Sequence, residues 1–231
     1  TPAVSLMSLE STKESQYQRD LDLKQIKGLT GLGVKTSRTW YDDPRRLLFV
    51  LARYKFVSKM LSGSANALEV GCGDAFAIRI VQQEVDRVCA VDFDPVFVND
   101  ANERMEDKWR FDCRVHDILS GPVEGDFDAA YSLDVIEHIE KADEERFMAN
   151  VTASLNPQGI LILGTPSLQS QAYASDGSIT GHVNCKDSGE LKSLMSGYFD
   201  RVLMFSMNDE VVHTGFSPMA HYLFAIGSGK R

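Results

Sequence analysis

The sequence predicts an α/β domain of the doubly wound, Rossmann-like class, and three observations support that prediction. Short apolar strands alternate with helical segments from residue 67 onward, as in a mostly parallel sheet with helices on both faces. The first strand ends in a turn that contains Gly71 and Gly73, and glycines there let the backbone turn tightly and approach a ligand. The second strand ends in an acid, Asp92, at about the 20-residue spacing that suits binding of ribose hydroxyls.

The N-terminal part of the chain differs from the rest. Residues 1 to about 35 are polar and follow no sustained period, so we expect an N-terminal extension over 1–42, or a flap over the active site, followed by one domain over 43–231. Asp43 and Pro44 predict the start of a helix, because an acid at the N-cap followed by proline in the first turn is typical of helix starts.

From residue 67 the alternating pattern places seven strands. We expect them near 67–71, 87–92, 112–116, 127–132, 158–164, 200–207 and 220–226. Phe147, Val151 and Leu155 recur at helical spacing and mark the helix before the fifth strand, which we expect residues 156–159 to close. The segment 165–186 is rich in Ser, Gly, Gln and Ala, and long structureless loops of this kind are usually lids or binding loops.

Composition excludes several classes of protein. The net charge of −9 offers no basic surface for a phosphate backbone, so we expect no nucleic-acid partner. The four cysteines form no C-x-x-C pair, which favours small buried residues in a reducing compartment. No apolar run approaches the length of a membrane span and no signal-peptide pattern opens the chain. We therefore expect a cytoplasmic protein without a membrane partner, and the sequence leaves its oligomeric state undetermined.

The glycine turn departs from the dinucleotide-binding fingerprint in two ways. Phe76 stands where that fingerprint requires a third glycine, and Glu69 precedes the turn. S-adenosylmethionine explains both departures, because it has no pyrophosphate for a helix start to hold and it carries a cationic amino group. Glu69, Gly71 and Gly73 are thus predicted to bind the amino-acid end of this cofactor.

The ends of the next two strands complete the predicted cofactor site. Asp92 would accept hydrogen bonds from the ribose hydroxyls, and Phe93 directly after it could stack on the adenine. Asp117, just past the third strand, suits the exocyclic amine of adenine, and Ile118 could cover the ring. In open α/β sheets ligands bind beyond the carboxyl ends of the strands, where these residues are expected to meet.

These motifs resemble those of class I S-adenosylmethionine-dependent methyltransferases across residues 45–231. The segments that carry the resemblance are 68–74, 90–94, 116–118, 132–139 and 159–166, together with the late strand at 220–226. The resemblance implies a seven-stranded sheet in the order 3-2-1-4-5-7-6 with the last strand antiparallel, and it adds Leu133 to the cofactor residues. Within that group the chain is most similar to O-methyltransferases of the ubiquinone-biosynthesis type and to relatives that act on sugars and other small metabolites. That similarity suggests Arg53 as the partner of the cofactor carboxylate.

The acceptor side of the expected site contains several histidines. A histidine near neutral pKa is the usual base for deprotonating a hydroxyl or amine. His182 in the segment 165–186 is our first candidate, followed by His138 after the fourth strand. Asn184, and Asn208 and His213 in the connection 208–219, are the expected substrate contacts. The other two histidines are expected in strands as core or edge residues, namely His116 and His221.

Three alternatives remain open at the level of sequence. Asp134, Glu137, His138 and His182 resemble the metal site of some ubiquinone-type and RNA-terminal methyltransferases, so a divalent ion is an option to which we do not commit. The favoured function is methyl transfer to a hydroxyl or amine of a small molecule, with a sugar as one candidate. A protein or RNA methyltransferase and a non-catalytic module that only binds S-adenosylmethionine are the alternatives. A nicotinamide oxidoreductase is disfavoured by Phe76 and the late antiparallel strand.

Overall fold

A computed structural model describes residues 11–231. The contacts within the chain divide it between Leu32 and Gly33 into a small N-terminal unit and a larger unit. The described part of the small unit contains a 3₁₀ turn, Ser15–Tyr17, and helix α1, Gln18–Lys27. Residues 1–10 of the expected N-terminal extension lie outside the described residues. The larger unit opens with helix α2, Val34–Asp42, so the last part of the segment expected as an extension is grouped with the sheet.

The larger unit is built on one sheet of eight strands in the order β3-β2-β1-β4-β5-β8-β6-β7. The strands are β1 Asn66–Val70, β2 Arg87–Asp92, β3 Asp112–Val115, β4 Phe127–Leu133, β5 Leu155–Pro166, β6 Phe199–Asn208, β7 Val211–His213 and β8 Tyr222–Lys230. Sequence analysis expected seven strands, and the additional one is β7. It forms a hairpin with β6 through a two-residue turn in which Asp209 adopts a positive φ of 51°, a conformation that Asp tolerates better than most residues.

The direction of the strands confirms the expected class of fold. The pairs joining β1 to β2 and β4, β2 to β3, and β4 to β5 are parallel, and β8 runs antiparallel to both β5 and β6. Without β7, the order is the expected 3-2-1-4-5-7-6. Tyr222 pairs with Pro166 of β5 and with Met207 of β6. The connections that leave β5 and β6 and the one that enters β8 therefore share one edge of the sheet.

Helices cover both faces of this sheet and enclose two buried apolar layers. Besides α2, the larger unit contains the helices α3 Pro44–Met60, α4 Ile78–Val81, α5 Pro95–Glu103, α6 Glu144–Ser154, α7 Asp176–Gly181 and α8 Ser188–Ser196. Helix α3 begins as its sequence predicts, because the Asp43 side chain accepts a hydrogen bond from the backbone N–H of Arg45 at 3.3 Å and Pro44 follows it. Leu68 and Val70 of β1 face one layer, whereas Ala67 faces the other.

Two local expectations were wrong. Residues 156–159 do not close a helix: α6 ends at Ser154, and they form an irregular part of β5, whose register with β4 shifts between Phe127 and Ala129. The segment 165–186 is not structureless. It contains a 3₁₀ turn at Leu168–Tyr173 and helix α7, and Ser167 and Lys186 at its two ends form a bridge. We call residues 165–186 the lid segment.

None of the helices in the described part of the chain combines the length and the apolar composition that crossing a bilayer requires.

Candidate active site

The glycine turn after β1 has a backbone that only glycine fits. Gly71 has φ +80°, and a Cβ atom there would lie 2.2 Å from Cγ2 of Val135. Gly73 has φ +52°, and its N–H donates a hydrogen bond of 2.8 Å to the Asp92 carboxylate. The turn and the end of β2 are thus held against each other, with an acid at their junction.

The residues expected around adenosine line the adjoining strand ends. The second carboxylate oxygen of Asp92 accepts the N–H of Asp94 at 2.9 Å. Phe93 is 72% exposed, so its ring is available for stacking. Asp117 is also exposed and accepts the N–H of Leu119 at 2.9 Å, whereas Ile118 is buried in the core. Leu133, at the end of β4, is buried and lies close to Gly164.

Glu69 lies beneath the glycine turn and is almost fully buried. The hydroxyl groups of Tyr54 and Tyr131 both donate hydrogen bonds to its carboxylate, that of Tyr131 at 3.0 Å. Burial raises the pKa of Glu69 to about 7, against the opposing effect of the two tyrosine hydrogen bonds. Glu69 is therefore an acid whose charge can change near neutral pH.

Arg53 of α3 contacts Asp134, which follows β4, and Tyr222 at the start of β8. Its guanidinium donates two hydrogen bonds to the Asp134 carboxylate, at 2.7 and 2.9 Å, and its Cζ lies 3.8 Å from the ring centroid of Tyr222. Asp134 follows β4 and has a positive φ of 57°. In this structure the guanidinium is thus held by an acid and an aromatic ring of the same site.

Glu137 is a buried acid in the turn that follows β4. One carboxylate oxygen accepts the Thr165 hydroxyl at 3.0 Å, and the other, Oε1, has no hydrogen-bond partner among the described residues. Burial, with the nearby charge of Asp134, raises the pKa of Glu137 to about 8. An unpaired, buried carboxylate oxygen of this kind suggests a place for a further group.

His138 and His182 meet above Glu137, with ring centroids 5.1 Å apart. Nδ1 of His138 lies 2.8 Å from the carbonyl oxygen of Gly181, and Nδ1 of His182 lies 2.8 Å from Oε1 of Gln171. Carbonyl oxygens only accept hydrogen bonds, so each Nδ1 is a donor, and in the neutral form of either ring Nε2 is the basic nitrogen. One ligand atom from each of Glu137, His138 and His182 lies within 4.8 Å of the others.

The pKa of His182 is lowered by burial and by the neighbouring His138. The amide of Gln171 is oriented for its contact with His182, because its Nε2 donates to Ser167 and Ser170, each at 3.3 Å. The lowered pKa favours the neutral imidazole of His182. Its Nε2 makes no hydrogen bond to a described residue and is therefore the basic nitrogen.

Asn184, near the end of the lid segment, belongs to a buried polar network. Its Nδ2 donates to Glu144 at 2.9 Å, and its Oδ1 accepts from the Lys186 ammonium, also at 2.9 Å. Lys186 and Glu144 form a buried ion pair. Because both ends of the amide are engaged, the structure gives Asn184 a role in anchoring the lid segment, and its expected contact with substrate stays a prediction.

Asn208 and His213 form a pair at the β6–β7 hairpin. Nε2 of His213 lies 2.9 Å from Oδ1 of Asn208, and Nδ1 of His213 accepts the N–H of Gly215 at 2.9 Å. His213 thus donates through Nε2, and it lies in β7 rather than in the loop where we expected it. This pair lies at the sheet edge where β6 ends.

The other two histidines lie just outside the strands in which we expected them. His116 follows β3, and its Nε2 contacts the carbonyl oxygen of Gly121 at 2.9 Å. His221 precedes β8 and is largely exposed. Neither is in the group formed by His138 and His182.

Sequence reasoning missed several side chains of this site. Tyr54 adjoins Arg53 in an apolar helix, and nothing in its local pattern distinguishes it from a core residue. Thr165 and Gln171 lie at the end of β5 and in the lid segment, and only their contacts with Glu137 and His182 reveal them. The position of Thr165 at a strand end is the one signal that could have found it.

Comparison with known proteins agrees with this geometry. A family model described as a methyltransferase domain matches residues 67–159. No curated protein is similar enough in sequence to match the chain. The matched segment runs from β1 into β5 and includes the glycine turn, Asp92 and the turn that carries Glu137 and His138.

Solved structures share the fold at low sequence identity. The N-methyltransferase NodS of Bradyrhizobium japonicum WM9, in complex with S-adenosyl-L-homocysteine, is 19% identical, with a TM-score of 0.59 over 84% of this chain and 91% of that chain. A SAM-dependent methyltransferase of Thermotoga maritima is 16% identical, with a TM-score of 0.65 over 85% and 95%. The complex of DhpI with SAH is 15% identical, with a TM-score of 0.60 over 84% and 92%. The match to a methyltransferase domain model over residues 67–159 supports the expected S-adenosylmethionine-dependent methyltransferase, and the solved structures confirm the expected Rossmann-like fold.

Proposed function

We propose that this enzyme transfers a methyl group from S-adenosylmethionine to a hydroxyl or amino group of a small molecule, with His182 as the base. The observation that carries the proposal is the pair His138 and His182: a carbonyl oxygen holds Nδ1 of each ring, and neither Nε2 makes a hydrogen bond to a described residue. Both lie at the carboxyl edge of the sheet that also carries the glycine turn. When bound, the cofactor supplies a methyl group that is already electrophilic.

The residues present fit that cofactor. Gly71 and Gly73 keep side chains out of the turn, as a closely approaching ligand requires. Asp92 offers a carboxylate for ribose hydroxyls, Phe93 offers an exposed ring for adenine, and Glu69 provides an acid for the cationic amino group. Each of these assignments is a proposal that follows from position and chemistry.

His182 would take the proton of the acceptor at Nε2, while Gln171 holds Nδ1–H and so keeps the ring in the required tautomer. The lid segment places Gln171 and His182 over the edge of the sheet, where it can help exclude water. Asn208 and His213 extend the polar lining toward the β6–β7 hairpin and are the proposed contacts with the acceptor.

The acceptor class is supported by charge and by one relative. The net charge of −9 disfavours RNA. NodS is named an N-methyltransferase, which supports testing amines together with the sugar hydroxyls that the resemblance to ubiquinone-type and sugar methyltransferases favours.

A second version of the mechanism replaces the base with a divalent ion. Glu137, His138 and His182 fit an ion, because Oε1 of Glu137 and Nε2 of each histidine have no hydrogen-bond partner among the described residues and the three side chains lie within reach of one ion. Asp134, which the resemblance adds to this set, is engaged by Arg53. A bound ion would lower the pKa of a hydroxyl that it holds.

Transfer of a labelled methyl group to a panel of sugar diols and primary amines tests the proposal, with His182→Ala as the key variant. We expect turnover to fall roughly 10²–10⁴-fold, the usual contribution of a positioned base, while calorimetric affinity for S-adenosylmethionine is nearly unchanged. His221→Ala is the matched control, because it removes a largely exposed histidine near the same edge.

A chelator separates the two versions, since only the metal version loses activity and regains it with added Mg²⁺ or Mn²⁺. Parent-rate turnover by His182→Ala contradicts both versions and makes His138 the candidate. Binding of NAD without binding of the methyl donor would refute the cofactor assignment. Binding of the donor with no transfer to any acceptor would favour a non-catalytic binding module.

A further inference from the structure

Lys35 places a cationic side chain over the glycine turn. It is the second residue of α2 and is exposed. A Cβ atom built on Gly73 would lie 3.6 Å from Cδ of Lys35 and 4.0 Å from its ammonium nitrogen. Within residues 11–231 the Lys35 ammonium makes no hydrogen bond or ion pair. A flexible cation that makes no hydrogen bond or ion pair with the described residues thus faces the turn proposed to receive the amino-acid end of the cofactor.

The glycine turn itself holds the helix that carries Lys35. Asp74, the residue after Gly73, accepts two hydrogen bonds from Thr36, from the backbone N–H at 2.7 Å and from the hydroxyl at 3.0 Å. A Cβ atom on Gly33, at the N-cap of α2, would lie 2.6 Å from Oδ2 of Asp74. Asp74 therefore caps α2 from a distant part of the chain, and the position of Lys35 depends on the turn it covers.

The carboxylates near Lys35 are already engaged. Asp74 is occupied by Thr36. Glu69 accepts hydrogen bonds from two tyrosines and is close enough to Lys35 for the ammonium to lower its pKa. An arriving carboxylate would find Lys35 uncommitted, whereas the Arg53 guanidinium already donates twice to Asp134.

We propose that the ammonium of Lys35 binds the carboxylate of S-adenosylmethionine at the glycine turn. The proposal rests on the proposed function. The amino and carboxylate groups of the cofactor are attached to one carbon atom, so a ligand whose amino group is near Glu69 has its carboxylate close by. A lysine ammonium has three donors and a flexible stem, and it can follow that carboxylate without rearrangement of the turn.

Calorimetric titration with two ligands tests this pairing. S-adenosylmethionine and decarboxylated S-adenosylmethionine differ only in the carboxylate. For Lys35→Met we expect affinity for the first to fall about 10- to 100-fold, as for loss of a hydrogen bond to a charged group. Affinity for the second should change less than about twofold, because it has no carboxylate to lose. Lys35→Arg should recover most of the loss.

Arg38→Met is the matched control, since it removes a positive charge from the same helix at a side chain that is 84% exposed. It should bind both ligands as the parent does. Melting temperatures establish that each variant is folded.

Equal weakening of both ligands by Lys35→Met would show that Lys35 only supports the structure, and would overturn the proposal. The proposal would also be overturned if Arg53→Met, and not Lys35→Met, weakened binding of S-adenosylmethionine without weakening binding of the decarboxylated ligand. If the parent protein binds neither ligand, the proposed function fails, and this assignment fails with it.

Discussion

The charge of Glu69 should control cofactor affinity near neutral pH. This carboxyl is buried under the glycine turn, and burial raises its pKa to about 7 although Tyr54 and Tyr131 both donate to it. The cofactor's cationic amino group favours the ionised carboxylate. Binding must therefore remove a proton whenever Glu69 starts protonated, and affinity should rise with pH.

The size of the effect follows from the fraction of Glu69 that is ionised in the free protein. With a pKa of about 7, that fraction is about one tenth at pH 6 and about one half at pH 7. The association constant should accordingly increase about fivefold between pH 6 and pH 7, with release of about half a proton per ligand at pH 7. The range stays at or below pH 7 because the ligand's own amino group titrates at about pH 8.

Calorimetry with S-adenosylhomocysteine in two buffers of different ionisation enthalpy measures both quantities. Glu69→Gln should bind more weakly and lose the pH dependence over this range. Glu137→Gln is the matched control, because it removes another buried acid of raised pKa and should keep the slope. A flat profile in the parent protein without proton release, or an unchanged slope in Glu69→Gln, would refute the placement of Glu69 beside the amino group.

Two further predictions concern the lid segment and the buried acid beneath it. Gln171→Leu should lower kcat about tenfold or more while affinity for S-adenosylmethionine stays the same, because His182 loses the acceptor that fixes its tautomer. Gln171→Glu supplies an acceptor again and should restore most of kcat. Equal kcat values for Gln171→Leu and the parent in steady-state kinetics would contradict this role. The pKa of Glu137 rises to about 8 on folding, so the stability tied to its proton is complete below about pH 4.5 and is lost as pH rises through about 8. The melting temperature of Glu137→Gln should therefore rise relative to that of the parent as the pH increases from 6 to 9. A difference in melting temperature that stays constant with pH would contradict the buried, protonated carboxyl.

The cofactor turn was predictable because its signals are local. A strand followed by Gly71 and Gly73 specifies backbone conformations that other residues avoid, and both glycines have positive φ. Asp92 ends β2 as its sequence predicts. The sheet order followed from a resemblance, and the structure confirms it apart from the short edge strand β7, whose three residues carry too little pattern to be recognised.

The acceptor side was predictable only in part, because its geometry depends on contacts between distant residues. Thr165 and Glu137 are 28 positions apart, and Asn184 and Glu144 are 40 apart. No spacing rule connects such pairs. His182 was found because histidine is chemically conspicuous, whereas Gln171, which orients it, is a polar residue in a polar segment. Lys35, on the cofactor side, was missed because its helix was expected to belong to an extension.

The backbone independently identifies the same edge of the sheet. Among the described residues, the non-glycine positions with positive φ are Ala75, Asp134 and Asp209. Asp209 is explained by the two-residue turn between β6 and β7, but Ala75 and Asp134 close no hairpin.

Ala75 follows the glycine turn, and Asp134 opens the turn that carries Glu137 and His138. Such conformations cost about 1–3 kcal/mol and persist where surrounding contacts fix them. The Asp134 N–H bonds to the Gly164 carbonyl at 3.0 Å while Arg53 holds its side chain. The two strained residues, Ala75 and Asp134, therefore lie in the turns after β1 and β4, at the same edge of the sheet as the proposed cofactor and acceptor residues. We expect the methyl group to be transferred between these two turns.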